Sequence, residues 1–212
     1  RYLQKTGGGM HHICFETGDV KGDLEALKAA EVQLIDQQTR QGLAGEIFFV
    51  HPKATSSVLV EYAQPEHGSE PGRQEPEALF LDMPLICTTT RDLWQAAGQF
   101  EKNYGLQIES YMISEELDNR HVMIPTGPEG SVYIEVMTPL TATGKNAEYI
   151  EKRGEGLFLM AARVRDLHAA VAKLRDAGVR VTDVDDSGSV AFVHPKSTNG
   201  VFIELLGMGP VH

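Results

Sequence analysis

The sequence predicts an α+β fold that is assembled from repeated modules of one strand, one helix and further strands. The first observation is an internal repeat, because residues 10–62 and 157–205 follow one pattern and share a His-Pro-Lys turn before a glutamate-bearing strand. A repeat of about fifty residues indicates a duplicated supersecondary unit. A third, more distant copy lies between the two. The modules are therefore expected at about residues 9–63, 82–138 and 155–207.

The first module shows its elements in chain order. Residues 11–16 alternate as a short strand, and Thr17-Gly18-Asp19 supply a turn and a helix cap. Apolar residues at helical spacing from Val20 to Ala30 predict one amphipathic helix. Three further strands are expected at residues 32–35, 46–50 and 58–62.

The second module repeats this order after a break. Pro and Gly among charged residues predict a linker over 64–81, and a second connection is expected over 138–155. A helix is expected over 92–104, because Leu93, Phe100 and Tyr104 share one face. Strands are expected at residues 83–89, 107–114, 121–125 and 132–137.

Composition excludes several classes of protein. The net charge of −11 argues against a nucleic-acid partner, which needs a concentrated basic surface. No apolar run approaches the roughly 20 residues of a membrane span, so no membrane partner is expected. With two cysteines a disulfide framework is not expected, which favours a reducing, cytoplasmic location. A small-molecule substrate remains the expected partner.

The two clear copies of the repeat differ in one pair of histidines. Gly9-Met10-His11-His12 opens the first copy, whereas Gly156-Leu157-Phe158-Leu159 opens the last. Strand alternation places His12 on one face with Cys14, and His11 is expected to point away from that face as a packing residue. Glu61 lies in the last strand of the same module. An imidazole and a carboxylate from these two strands form a suitable half-site for a divalent metal.

With these motifs the chain resembles the vicinal oxygen chelate superfamily, which includes glyoxalase I, bleomycin-resistance proteins, extradiol dioxygenases and methylmalonyl-CoA epimerases. The motifs look most like those of the epimerases. The resemblance implies that βαβββ modules pair and that their sheets close into a cup. It also implies four metal ligands, two from each module of a pair. His12 and Glu61 match the pattern of a second module, in which the later His of the first strand and the Glu after the His-Pro-Lys turn are ligands.

By the same resemblance, residues 82–207 form one complete cup from two modules. Its four ligand positions hold Leu85, Glu135, Leu159 and Glu204. Because leucine cannot bind a metal, this site is expected to be degenerate and metal-free. The cup is instead expected to provide a ligand pocket, with His121 as a further lining residue. If the two glutamates face an apolar interior without a partner, desolvation should raise their pKa values.

Residues 1–63 then form a single module without a partner in this chain. Either a preceding module of similar size is missing, or the module pairs with its twin in a homodimer. The repeat extends upstream, because Tyr2, Leu3 and Lys5 match three residues of the later connection: Tyr149, Ile150 and Lys152. This extension favours a missing module.

The leading functional hypothesis is a metal-dependent enzyme of the epimerase or glyoxalase type, an isomerase or lyase that stabilises an enolate of a small carbonyl or acyl-CoA substrate. The resemblance implies a divalent ion (Co, Mn, Ni, Zn, Fe or Mg) held by His12 and Glu61, with Glu61 also the catalytic base. The alternative is a non-catalytic small-molecule-binding protein of the bleomycin-resistance type that uses the metal-free cup. A third possibility is an iron-dependent dioxygenase, which requires two histidines and one carboxylate.

Overall fold

A computed structural model describes residues 4, 7–66, 78–128 and 131–208. Within these ranges the strands are β1 (Ile13–Glu16), β2 (Arg40–Gly42), β3 (Gly45–Val50), β4 (Val60–Gln64), β5 (Phe80–Thr89), β6 (Ser110–Ser114), β7 (Asn119–Pro125), β8 (Tyr133–Pro139), β9 (Gly156–Val164), β10 (Val190–Val193) and β11 (Phe202–Leu206). The helices are α1 (Val20–Ala29), α2 (Leu93–Tyr104), α3 (Lys145–Arg153) and α4 (Leu167–Asp176). None of these four helices has the length and apolar character that a bilayer crossing requires.

The strands form two sheets. A four-stranded sheet has the order β1-β4-β3-β2, and a seven-stranded sheet has the order β10-β11-β9-β5-β8-β7-β6. In every module the first strand pairs in parallel with the last strand. The first strands of modules two and three, β5 and β9, pair antiparallel and join the two modules into one sheet. The predicted α+β fold of βαβββ modules is confirmed.

Two local expectations differ from the structure. The strand expected at 32–35 was wrong: only an isolated bridge between Leu34 and Val50 forms there, and the neighbour of β3 is β2 instead. The reason lies at Asp36, whose carboxylate accepts the Phe49 amide hydrogen at 2.9 Å and so occupies a donor that a regular ladder would use. The second connection also contains helix α3, which buries only Ile150.

Part of the predicted linker lies outside the described residues. These are residues 67–77. Tyr2, Leu3 and Lys5, on which the upstream extension of the repeat depends, also lie outside the described residues.

The largest apolar cluster joins module one to module two. It contains Phe48 and Val60 from the first sheet together with Phe100 and Ile134 from the second module. The Asp92 carboxylate caps the start of helix α2 through the Gln95 amide at 3.0 Å, and the α2 face that bears Phe100 packs at this contact. Module one therefore packs through its helix-bearing side, and the opposite face of its sheet carries the alternate side chains.

Polar bonds fix the same contact. The Asn103 amide donates to the Ala54 carbonyl at 2.7 Å, and the Gln99 side chain accepts from the Ser56 amide at 2.6 Å. The hydroxyl groups of Tyr104 and Thr55 also form a hydrogen bond. These bonds attach the turn between β3 and β4 to helix α2.

Candidate functional site

The structure brings His12 and Glu61 together. Strands β1 and β4 are parallel neighbours, and Cys14 lies directly opposite Glu61 in their register. His12 lies just before β1, and its Nε2 is 2.7 Å from Oε2 of Glu61. The Glu61 residue is 7% exposed, whereas the His12 side chain is 31% exposed. The pair therefore has a buried carboxylate and an imidazole that solvent can reach.

Two aromatic neighbours hold the His12 ring. Its Nδ1 is 3.0 Å from Nδ1 of His11, so one of these nitrogens donates to the other, and its ring contacts Phe49 edge-on at 5.7 Å. Because Nδ1 is occupied, Nε2 is the nitrogen that faces Glu61. Burial, followed by the neighbouring His12, lowers the pKa of His11, which favours its neutral form.

The expectation for His11 was wrong. His11 is exposed and contacts His12, rather than packing on the opposite side of the sheet. The physical reason is that β1 begins only at Ile13, so the strict alternation of a strand does not extend to residues 11 and 12.

His12 and Glu61 fit a divalent metal as half of a coordination sphere. An imidazole nitrogen and a carboxylate oxygen that converge suit ions of the first transition row. A catalytic site normally has at least three protein ligands, and no group of three or more His, Cys, Asp or Glu side chains is placed to hold an ion within the described ranges. The adjacent Cys14 offers no thiolate at neutral pH, because burial, and then Glu61, raises its pKa to about 11. The remaining ligands would have to come from another module.

Modules two and three line an open cavity of about 1660 Å³. Every residue that the sequence assigned to a ligand pocket lines this cavity: Leu85, His121, Glu135, Leu159 and Glu204. The lining also includes three aromatic side chains, Phe158, Phe192 and Phe202. The cavity is therefore mainly apolar, and its interior polar groups include two carboxyl groups, one imidazole and the Asn119 amide.

The three modules place a glutamate at one equivalent position. Glu61 lies opposite Cys14, Glu135 lies opposite Cys87, and Glu204 lies opposite Ala161, each across the parallel pair of first and last strands. The residue two positions before the facing residue is His12 in module one and leucine in the other modules, at positions 85 and 159. The register thus supports the correspondence drawn from the motifs.

Burial dominates the electrostatics of the two glutamates in the cup. It raises the pKa of Glu135, against the smaller opposing effects of His121, 3.5 Å away, and of a hydrogen bond from Cys87. Burial, and then repulsion from Glu135, raises the pKa of Glu204 to about 7. The expectation that desolvation raises both pKa values is confirmed.

The sequence did not identify two residues that help to place these groups. The Asn119 side-chain oxygen is 3.0 Å from Nδ1 of His121, and the Cys87 thiol donates a hydrogen bond to Glu135. The only signal for Asn119 was its position two residues before His121, which places both on one strand face. The Cys87 contact depends on the pairing of β5 with β8 and has no local signal.

The family model described as Glyoxalase/Bleomycin resistance protein/Dioxygenase superfamily matches residues 86–192, which is half of the chain. A mitochondrial methylmalonyl-CoA epimerase from Dictyostelium discoideum is 40% identical over 62 residues, which cover 28% of this chain and 37% of that protein. The chain spans less than half the length of the curated relatives it matches.

Solved structures give a wider match. Methylmalonyl-CoA epimerase from Mycobacterium tuberculosis superposes with a TM-score of 0.57 and 27% identity, and the match covers 65% of this chain and 94% of that one. A variant of the Streptomyces coelicolor methylmalonyl-CoA epimerase in complex with 2-nitronate-propionyl-CoA gives a TM-score of 0.55 and 27% identity, with 62% and 99% coverage.

Proposed function

Because the chain belongs to the glyoxalase/bleomycin resistance/dioxygenase superfamily, we propose that module one contributes half of a metal-dependent active site of the epimerase type. The observation that carries this proposal is the 2.7 Å contact between His12 and Glu61 across the first and last strands. The similarity to methylmalonyl-CoA epimerases supports an acyl-CoA thioester as the substrate class. An enzyme of this type is an isomerase, or a lyase if the enolate expels a group.

Each residue of the pair has a defined role in this proposal. His12 and Glu61 would hold the ion, and the neighbouring His11 would fix the tautomer of His12 through Nδ1. A divalent metal bound there would supply Lewis-acid stabilisation of the negative charge that develops on a substrate carbonyl. The Glu61 carboxylate would accept the proton from the carbon next to that carbonyl. Inversion of the stereocentre would require a second acid on the opposite face of the carbon, and the partner module would have to supply it.

The other two ligands would come from a second module that bears the matching pair of ligands. That module would belong either to a longer chain or to a second copy in a homodimer. The sheet face with Cys14 and Glu61 lies opposite the face that packs on module two, so a partner module would have to approach from that side.

A second candidate is a non-catalytic small-molecule-binding protein of the bleomycin-resistance type. The observation that favours it is the cavity of about 1660 Å³ in modules two and three, where leucines occupy two of the four metal positions. This reading requires no ion near His12.

The test is exchange of the substrate α-proton. Methylmalonyl-CoA is incubated with the protein in D2O, and loss of the C2 proton is followed by NMR, with bound metal and oligomeric state measured on the same sample. We expect metal-dependent exchange that falls by about 10²- to 10⁴-fold in Glu61→Gln. The control Glu25→Gln removes an exposed carboxylate on α1 and should exchange at the wild-type rate.

Two results would overturn the catalytic proposal. One is unchanged exchange in Glu61→Gln. The other is a protein that neither binds metal nor exchanges the proton in any oligomeric state, which would favour the binding-protein candidate.

A further inference from the structure

The interior of the cup contains two carboxyl groups with little compensating positive charge. Glu135 has His121 at 3.5 Å and the Cys87 thiol as its partners. Glu204 has no hydrogen bond or ion pair with any residue in the described ranges, and Glu135 is its main electrostatic neighbour. Two carboxyl groups that repel each other in an apolar cavity favour occupation by a positive charge.

The strands packed around this pair of glutamates contribute few charged groups. Strand β7 contributes His121, β5 contributes the Cys87 thiol, and β10 faces Glu204 only with Phe192. On β9 the Arg163 Nε lies 3.5 Å from the Asp82 carboxylate, too far for a good hydrogen bond, and Arg163 does not line the cavity. The basic residues that line the cavity are exposed and stand beside acidic ones such as Asp118 and Asp166, so the entrance carries both signs of charge.

Aromatic side chains form one wall of the same cavity. Phe158 contacts Phe202 edge-on at 5.6 Å, and Phe202 stacks on Phe192 at 5.4 Å. The faces of such rings attract cations and also accommodate hydrocarbon. This wall is independent of the carboxyl groups and points to the same chemistry, a positive charge on an apolar body.

We propose that the paired-module cup is a metal-independent binding site for a hydrophobic organic cation, an ammonium ion with an aromatic or alkyl body, whose charge lies against Glu204 and Glu135. A metal ion is the poorer occupant, because leucines stand at positions 85 and 159 and no three ligating groups converge in the described ranges. An ammonium ion requires only hydrogen-bond acceptors for its N–H groups, and two carboxylates provide them. This site is separate from the His12–Glu61 pair and does not depend on the catalytic proposal.

Binding of such a cation should be linked to proton release. The pKa of Glu204 is about 7 without a ligand, and a bound cation favours its ionised form. Protons therefore compete with the cation below pH 7. The ammonium group itself remains charged across this range, since its pKa is about 10.

The experiment compares two probes of nearly equal shape on metal-free protein. Binding of 2-phenylethylamine and of 2-phenylethanol is measured by isothermal titration calorimetry in EDTA-containing buffer at pH 7.5 and pH 5.5. We expect the amine to bind at least about tenfold more tightly than the alcohol at pH 7.5, and to weaken by about tenfold or more at pH 5.5. The alcohol should bind equally at both pH values. These measurements need no variant.

Isosteric variants show which carboxyl groups bind the amine. In Glu204→Gln the affinity for the amine should fall to that for the alcohol, while the alcohol is unaffected; Glu135→Gln should weaken the amine in the same direction. The control Glu25→Gln, outside the cup, should leave both affinities unchanged. Circular dichroism confirms the fold of each variant.

Three outcomes would overturn the inference: equal affinities for amine and alcohol in the wild-type protein, an affinity for the amine that neither Gln variant reduces, or stoichiometric binding of Zn²⁺ alone that Glu204→Gln abolishes. Because no readout uses turnover or a metal, failure here leaves the proposal for module one untouched.

Discussion

Modules one and three have nearly the same sequence pattern and the same strand register, but their equivalent glutamates have different surroundings. Glu61 lies opposite Cys14 and contacts His12 at 2.7 Å. Glu204 lies opposite Ala161, and Leu159 occupies the position of the histidine. The residue at this one position therefore distinguishes Glu61, which has a basic partner, from Glu204, which has none in the described residues.

The comparison shows how a duplicated site changes its chemistry while its backbone stays constant. Loss of the imidazole removes the proposed metal donor and also the 2.7 Å partner of the carboxylate. Burial then raises the pKa of Glu204 to about 7, which allows this group to gain or lose a proton near neutral pH. The predictions below exchange features between the two modules or compare how each responds.

The largest effect is expected for His12→Leu, which gives module one the residue of module three. If His12 is a metal ligand, the variant should bind the ion at least about 100-fold more weakly, because the carboxylate remains as the only donor of this module. Competition with a chelator whose metal affinity is known measures the change. The matched control is His51→Ala, which removes a histidine whose Nδ1 accepts the Lys53 amide hydrogen of its own turn. Equal metal affinities in wild type and His12→Leu would remove the basis of the metal half-site.

The reciprocal change should create a metal site in the cup. Leu85→His and Leu159→His together add two imidazoles to Glu135 and Glu204, which would complete a four-ligand set. We expect about one additional equivalent of Co²⁺ per chain, bound at least about 100-fold more tightly than by the wild-type cup. The visible absorption of Co²⁺ reports its coordination. Either single variant is the control, and uptake by the double variant no greater than by wild type would show that the two modules differ by more than these residues.

Glu204→Gln should change how stability depends on pH. The folded-state pKa of about 7 exceeds the ordinary value of 4.5, so the folded protein binds more protons than the unfolded chain between these pH values. The free energy of unfolding of wild type therefore falls as pH rises through this window and stays low above it. The variant cannot ionise at this position, and we expect it to be more stable than wild type by roughly 3 kcal/mol at pH 8, with no gain at pH 4. Urea denaturation at both pH values measures the difference.

A control for this prediction lies on the exposed side of helix α1. Glu25→Gln removes a carboxylate that pairs with Lys28 on the surface, so its stability should follow that of wild type within about 0.5 kcal/mol at both pH values. If Glu25→Gln also raised the free energy of unfolding at pH 8, the gain would come from the change in net charge and not from burial of Glu204.

The sequence predicted those parts of the fold that have a local signal. Helices α1 and α2 follow from apolar spacing, and the repeat predicted the βαβββ order of elements. Strand β2 was missed because Arg40-Gln41-Gly42 has no apolar alternation, and α3 was missed because only Ile150 of that segment is buried. The pairing of β5 with β9 joins residues about 75 positions apart, and only the family resemblance indicated it.

The candidate site shows the same difference between residues with a local sequence signal and contacts that depend on strand pairing. The His12–Glu61 pair was foreseen because both residues lie in recognisable motifs on strands that the fold makes neighbours. The contacts of His121 with Asn119, and of Cys87 with Glu135, depend on strand register and side-chain direction. Neither of these is encoded in a short stretch of sequence.

The smallest effect concerns the turns that both modules retain. His51 and His194 each accept the amide hydrogen two residues ahead at 3.1 Å, through Nδ1. Replacement of either by alanine removes a cap and should lower the free energy of unfolding by about 1 kcal/mol. The loss should be smaller for His51→Ala, because Asn103 and Gln99 still hold its turn through bonds to Ala54 and Ser56. The controls Lys53→Ala and Lys196→Ala keep the amide donor and should be nearly neutral. A larger loss for His51→Ala would mean that the cap in module one also maintains the contact with helix α2, so that the two turns, alike in geometry, differ in what they support.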